Sequence, residues 1–243
     1  VGGFATIAGG VMAAYAGMGI DPAHLVSASV ISAPAALLIS KLMIPETEES
    51  PTMGHVEITI DEKHANVVDA ATSGALEGLK LTLNVAAMLI AFLGLVALID
   101  AALGLVGGWV GGLFGYSWTW SLSTIFGYIF FPFAWLLGIP YADCIYAGEL
   151  LGKKMVLNEF IAYAQMMAWQ QPDSGVVLSE RSILILTYAL CGFANFGSVG
   201  IQIGGIGGIA PDRKADLARL GMRAMIGGTL AMMMTACIAG ILI

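Results

Sequence analysis

Glu159 closes the run Lys153-Lys154-Met155-Val156-Leu157-Asn158-Glu159-Phe160, between Leu150-Leu151 and Ile161-Ala162, in a stretch otherwise apolar enough to enter a membrane. An ionisable group at membrane depth is costly, so it is a functional candidate by default. The plainer alternative is a surface loop with a solvated Glu159; the apolar flanks favour a re-entrant hairpin. A second candidate is Gly192-Phe193-Ala194-Asn195-Phe196-Gly197-Ser198-Val199-Gly200, where glycines and polar residues interrupt a span with no charge. Backbone groups freed at such a break need a partner from protein, water or ligand. Asn195 and Ser198 are three apart and share a helical face. Close packing of small residues explains the glycines there, but not Asn195. Residues 6–10 form a similar, weaker break, whose exposed carbonyls could ligate a small cation.

Composition says what must position these groups. Of 243 residues, 58% are hydrophobic and 11% charged, with a mean hydropathy of +0.86. Soluble domains carry about 25% charged residues, so this chain lies outside that class. No charge falls in 1–20, 81–99, 101–142, 182–211 or 224–243, and 22–40 holds only His24. Crossing a bilayer takes about 20 mostly apolar residues. The chain therefore reads as an all-α integral membrane protein. The net charge of −7 comes mainly from Glu46, Glu48, Glu49, Glu57, Asp61, Glu62 and Asp69, a solvated connector that says nothing about nucleic acid. Cys144, Cys191 and Cys237 lack metal-ligand spacing and read as reduced structural thiols. The chain opens inside an apolar Gly-rich run without a basic leader, so further segments are expected upstream.

Five regions follow. Residues 1–45 hold a Gly- and Ala-rich broken segment and a following span that stops at Pro45. Residues 46–80 form a connector and, over 63–80, a short amphipathic helix lying at the interface. Residues 81–120 hold a long scaffold helix: 81–113 would extend roughly 50 Å, enough to tilt or project. Residues 121–170 form the hairpin region, opening on an aromatic segment that holds Pro132 and is anchored by Trp118, Trp120 and Trp135. Residues 171–243 hold a second broken helix and a last span. The broken units repeat: Gly3-Phe4-Ala5-Thr6 matches Gly192-Phe193-Ala194-Asn195, and Pro22 and Pro211 each follow 19 positions after the glycine. Basic residues Lys41, Lys63 and Lys80, and then Arg213, Lys214, Arg219 and Arg223, place both connectors in the cytoplasm and the C-terminus outside. Broken helices in an inverted repeat mark the midplane binding site of a transporter.

Particular motifs carry a family resemblance. G-G-F-A-T-I-A-G-G-V-M at 2–12, S-A-P-A-A at 32–36, P-E-T-E-E-S at 45–50 and N-V-A-A-M-L-I at 84–90 are in family order with K-x-V-L-N-E-F at 154–160 and G-F-A-N-F-x-S-V-G-I-Q-I-G-G at 192–205. Together they resemble the C-terminal half to two-thirds of a concentrative nucleoside transporter. The resemblance implies a homotrimer in the plasma membrane (the inner membrane of a Gram-negative cell), symport of nucleoside with sodium or a proton, and no organic cofactor. It implies that Glu159 binds the ribose, with Asn158 beside it in the motif. Asn195 and Ser198 would complete the sugar and base contacts, Phe193 would pack beside them, and Ile7 would offer an apolar face to the base. Sodium would use backbone near Gly2 and Gly3. The family's first hairpin, with its Gln-Thr/Ser-Glu tip, would lie upstream, and Gly197 stands where many members have serine. A channel or another small-solute carrier is the competing reading. An intramembrane enzyme is the weakest: Gly197-Ser198-Val199-Gly200 looks like a nucleophile turn, but no base lies in that span, and His24, His55 and His64 fall in loops or at the interface.

Overall fold

The computed structural model describes residues 1–47, 49, 54, 65–115 and 120–243, and among them every regular element is helical. Trp118, Glu48, His55, Glu57, Asp61, Glu62, Lys63 and His64 lie outside the described residues. In chain order the α-helices are α1 (Gly2–Ala5), α2 (Gly9–Gly17), α3 (Pro22–Met43), α4 (Val67–Phe114), α5 (Leu122–Leu136), α6 (Cys144–Val156), α7 (Glu159–Trp169), α8 (Glu180–Leu190), α9 (Phe196–Ile209) and α10 (Lys214–Leu242). Among the described residues, three segments are long and apolar enough to cross a membrane: α3, α4 and Pro211–Leu242.

Most helix starts are written in the sequence as caps. Asp21 Oδ1 accepts from Ala23 N at 2.8 Å, with Pro22 at the first helical position of α3. Asn66, Ser121, Asn158, Ser179 and Asn195 cap α4, α5, α7, α8 and α9 in the same way. The cap at Asn66 corrects one expectation. Over the described part of 63–80, residues 67–80 are not a separate interfacial helix. The amphipathic stretch is the first part of α4, which runs unbroken for 48 residues to Gly115, whose φ of 73° ends it. Neither proline nor a left-handed residue interrupts 67–114, so the polar face of the early turns is no reason for the helix to stop.

The core gathers around α10, which packs against α1, α3, α8 and α9. Tyr15, Leu25, Leu150, Tyr163, Met166, Ile185, Leu186, Leu190 and Met232 are buried within it. Helices α5 and α6 touch backbone to backbone: a Cβ on Gly152 would sit 2.7 Å from Gly127 N and Ser123 O, and one on Gly148 would strike Gly127 O. Helix α4 packs along α9, with Phe92 over Gly200, and leaves Ile90, Leu98, Leu105 and Trp109 exposed on its other side.

Both predicted breaks are present. Helix α1 ends after one turn, residues 6–8 are unwound, and α2 begins at Gly9. Helix α8 ends at Leu190, residues 191–195 are unwound, and α9 begins at Phe196. The two breaks meet. A Cβ on Gly192 would lie 2.9 Å from Phe4 O and 3.0 Å from Ala5 O, so the second unit crosses the first at a point where only glycine fits.

Candidate functional site

The expected hairpin region contains a helix pair, α6 and α7, separated by Leu157 and Asn158. Asn158 Oδ1 accepts from Ile161 N at 2.9 Å, so the residue beside Glu159 fixes where α7 starts. Glu159 is therefore the first residue of α7, at the positive end of the helix dipole, where a carboxylate is favoured. It is 4% exposed.

The carboxylate is held from both sides. Tyr15, in α2, donates its hydroxyl to Oε1 at 2.9 Å. Asn195, at the start of α9, donates its Nδ2 to Oε2 at 3.2 Å. The same Asn195 turns its Oδ1 to Ser198 N at 2.8 Å, capping α9. One amide thus does two jobs: its oxygen ends the break and its nitrogen reaches the carboxylate. A carboxylate has about four lone-pair sites, so these two donors leave it able to accept further. Glu159 is the meeting point of both broken units and the α6–α7 pair.

Supporting contacts fix the donors. The Tyr15 ring packs on Tyr163 with centroids 4.8 Å apart, and Tyr163 donates its hydroxyl to Thr187 O at 2.7 Å. Just before α6, Asp143 Oδ2 accepts from Ser179 N at 3.0 Å, Ser179 Oγ at 2.8 Å and Ser182 Oγ at 2.6 Å. That carboxylate ties the start of α6 to the start of α8.

The other candidates fall around this centre in different ways. Ser198 is buried one turn into α9, Phe193 is half-buried in the second break, and Ile7 is buried in the first. Gly2 and Gly3 do not lie in an unwound segment. Both are helical, and Gly2 O already accepts from Thr6 N at 3.1 Å and Thr6 Oγ1 at 3.0 Å. The unwound residues begin at Thr6 instead. Sequence reasoning missed Tyr15, although a lone phenol in an apolar run carries a hydroxyl that needs a partner once buried.

Comparisons with known proteins place this arrangement. A family described as Na+ dependent nucleoside transporter C-terminus matches residues 24–240, and the chain belongs to that family. It is 51% identical to an uncharacterised transporter of Haemophilus influenzae, covering all of this chain and 57% of that protein. It is 47% identical to Solute carrier family 28 member 3 of Eptatretus stoutii and 41% identical to Sodium/nucleoside cotransporter 1 of Mus musculus; each match takes in 99% of this chain, and 36% and 38% of the respective relative. Among solved structures, a CNTnw variant in an outward-facing state matches with 41% identity and a TM-score of 0.83, over 99% of this chain and 56% of that one. CNTnw in an inward-facing substrate-bound state matches with 42% identity and a TM-score of 0.77, over 98% and 54%. The chain thus spans a little over half of the bacterial relative and about a third of the vertebrate ones. Its family and its long apolar helices mark it as integral to a membrane.

Proposed function

We propose that this chain supplies the C-terminal part of a concentrative nucleoside carrier that moves nucleosides across the plasma membrane with sodium or a proton. The observation that supports it most is the buried Glu159 held between Tyr15 and Asn195. A carboxylate with acceptor capacity left suits a ribose, whose hydroxyls donate, and charge-assisted bonds of this kind are roughly twice as strong as neutral ones. Asn158 sets the carboxylate's position by capping α7, Ser198 and Phe193 lie on the second unit beside it, and Ile7 supplies apolar surface from the first.

The coupled cation is assigned to the first break. Helix α1 is a single turn, so its last carbonyls lack the next turn's N–H groups, and unwound carbonyls with half-helix ends suit a small cation. The site moves from Gly2 and Gly3 to the carbonyls that follow them. The two broken units run in opposite directions through the membrane, which is the inner membrane in a Gram-negative cell, and three copies assemble through scaffold elements such as α4.

The test is uptake of radiolabelled uridine and adenosine by cells or proteoliposomes carrying the full-length protein, with and without sodium and across a proton gradient. Saturable accumulation against the gradient, dependent on one of the two cations, is expected. Uptake that equilibrates without either cation would favour a channel, and no uptake of either nucleoside would point to a different solute.

A further inference from the structure

Among the described residues only three charged side chains are buried: Asp143, Lys154 and Glu159. Asp143 is accounted for by its three serine-derived hydrogen bonds. Lys154 is not. It is 4% exposed, in the last turn of α6, and its Nζ donates to Ala189 O at 2.8 Å and approaches Met232 Sδ at 2.9 Å. Among the described residues no carboxylate oxygen lies within 4.0 Å of that nitrogen. The void beside it, lined by Phe130, Ala194 and Met233 among others, has a volume of about 10 Å³, room for one water at most. Its neighbour Lys153 is different, reaching Glu149 at 2.8 Å and Gln165 at 3.0 Å on the partly exposed side of α6.

A dry ammonium held by one carbonyl and one thioether needs a negative charge nearby. Carboxylates on the helices packed around it are otherwise engaged or exposed: Glu149 pairs with Lys153, Asp216 pairs with Arg213 and Arg219, and Glu180 is exposed at the far end of α8. Glu159 remains, five residues along the chain across the α6–α7 break, and it has no cation within 4.0 Å either. Ala189 O belongs to the last turn of α8, so the same ammonium also satisfies a helix-end carbonyl beside the second break.

We propose that Lys154 is the resident counter-ion of Glu159 and sets the site to accept a neutral, hydroxyl-bearing solute in preference to a cationic one. The inference rests on the reading of Glu159 as the substrate-facing carboxylate. With Lys154 in place the pair carries no net charge, and a solute bringing an ammonium group would add an uncompensated positive charge to a dry site. Without it the carboxylate would stand alone and attract such a group.

Two measurements test this on the full-length protein. The first is a thermal-unfolding cycle in detergent without nucleoside, using wild type, K154M, E159Q and K154M/E159Q. Each single change should lower Tm by about 5 °C or more, and the double variant should lose clearly less than the sum. Should K154M fail to fold, recovery of the folded double variant gives the same support. Additive losses, or a double variant no easier to recover than K154M, would overturn the pairing. The second compares inhibition of uridine uptake by uridine and by 5′-amino-5′-deoxyuridine. K154M should shift the ratio about tenfold towards the amine, whereas a purely structural lysine would leave it unchanged. If the wild type carries no uridine, the reading of Glu159 fails by itself, and the substrate-free cycle still decides the charge pairing.

Discussion

The two breaks share a sequence pattern but are finished differently. In the second, Asn195 caps α9 and reaches Glu159, so the break is closed by protein groups. In the first, Ala8 precedes α2 and offers no side chain to cap it. The contrast comes from one position in the repeat, where Thr6 stands in one copy and Asn195 in the other. Thr6 folds its hydroxyl back onto Gly2 O, whereas Asn195 turns forward into α9. The two copies of the pattern thus end differently: a side chain closes the second break, and the helix that follows the first starts without a side-chain cap.

Removing the crossing point should have the largest effect. Gly192→Ala puts a methyl group against Phe4 O, Ala5 O and Met232 Sδ, and two of those three are backbone and cannot step aside. Uptake should fall to background with a large loss of folded protein, measured by size-exclusion yield. Near-normal yield and uptake would show that the two units do not depend on this contact.

Next come the two donors to Glu159. Asn195→Ala removes one donor and the cap of α9, and Tyr15→Phe removes the other donor alone. Hydrogen bonds to charged groups are worth roughly 1.5–3 kcal/mol, so KM for nucleoside should rise about tenfold or more in each. Asn195→Ala should be the worse of the two. Equal, small changes in both would return these residues to a packing role.

The smallest effect sharpens the contrast most. Ala8→Asn gives the first break the cap that the second already has. A cap is worth roughly 0.5–2 kcal/mol, and closing the break should weaken apparent affinity for the coupling cation a few-fold, with KM for nucleoside at saturating cation little changed. An effect confined to nucleoside affinity would move the cation away from the first break.

How much of this was legible in the sequence depended on contrast. Glu159 and Asn195 stood out because each is polar in a stretch that is otherwise apolar, and the structure joins them directly. Tyr15 was invisible for the opposite reason: its ring fits the apolar run, and only burial reveals that its hydroxyl needs a partner. Lys154 was masked by Lys153, since nothing in an adjacent pair of lysines says which of the two turns into the core. The start of α4 was misplaced because charge density over 63–80 suggested an interface, whereas the cap at Asn66 and the lack of any breaker decide the helix. The first break was legible at Thr6, where unwinding does begin, but its far edge was not, since Gly9 and Gly10 are already helical.

The central claim is that Glu159 binds the sugar, and a cycle of two proteins against two substrates tests it most directly. Wild type and Glu159→Gln, both full length, are compared for transport affinity towards uridine and 3′-deoxyuridine. A wild-type carboxylate facing the missing hydroxyl is left with an unpaired buried charge, so the deoxy analogue should be strongly disfavoured. With the neutral amide the normal nucleoside should bind more weakly and the penalty for the analogue should shrink. An equal penalty in both proteins would mean that Glu159 serves the cation or the gate and not the ribose.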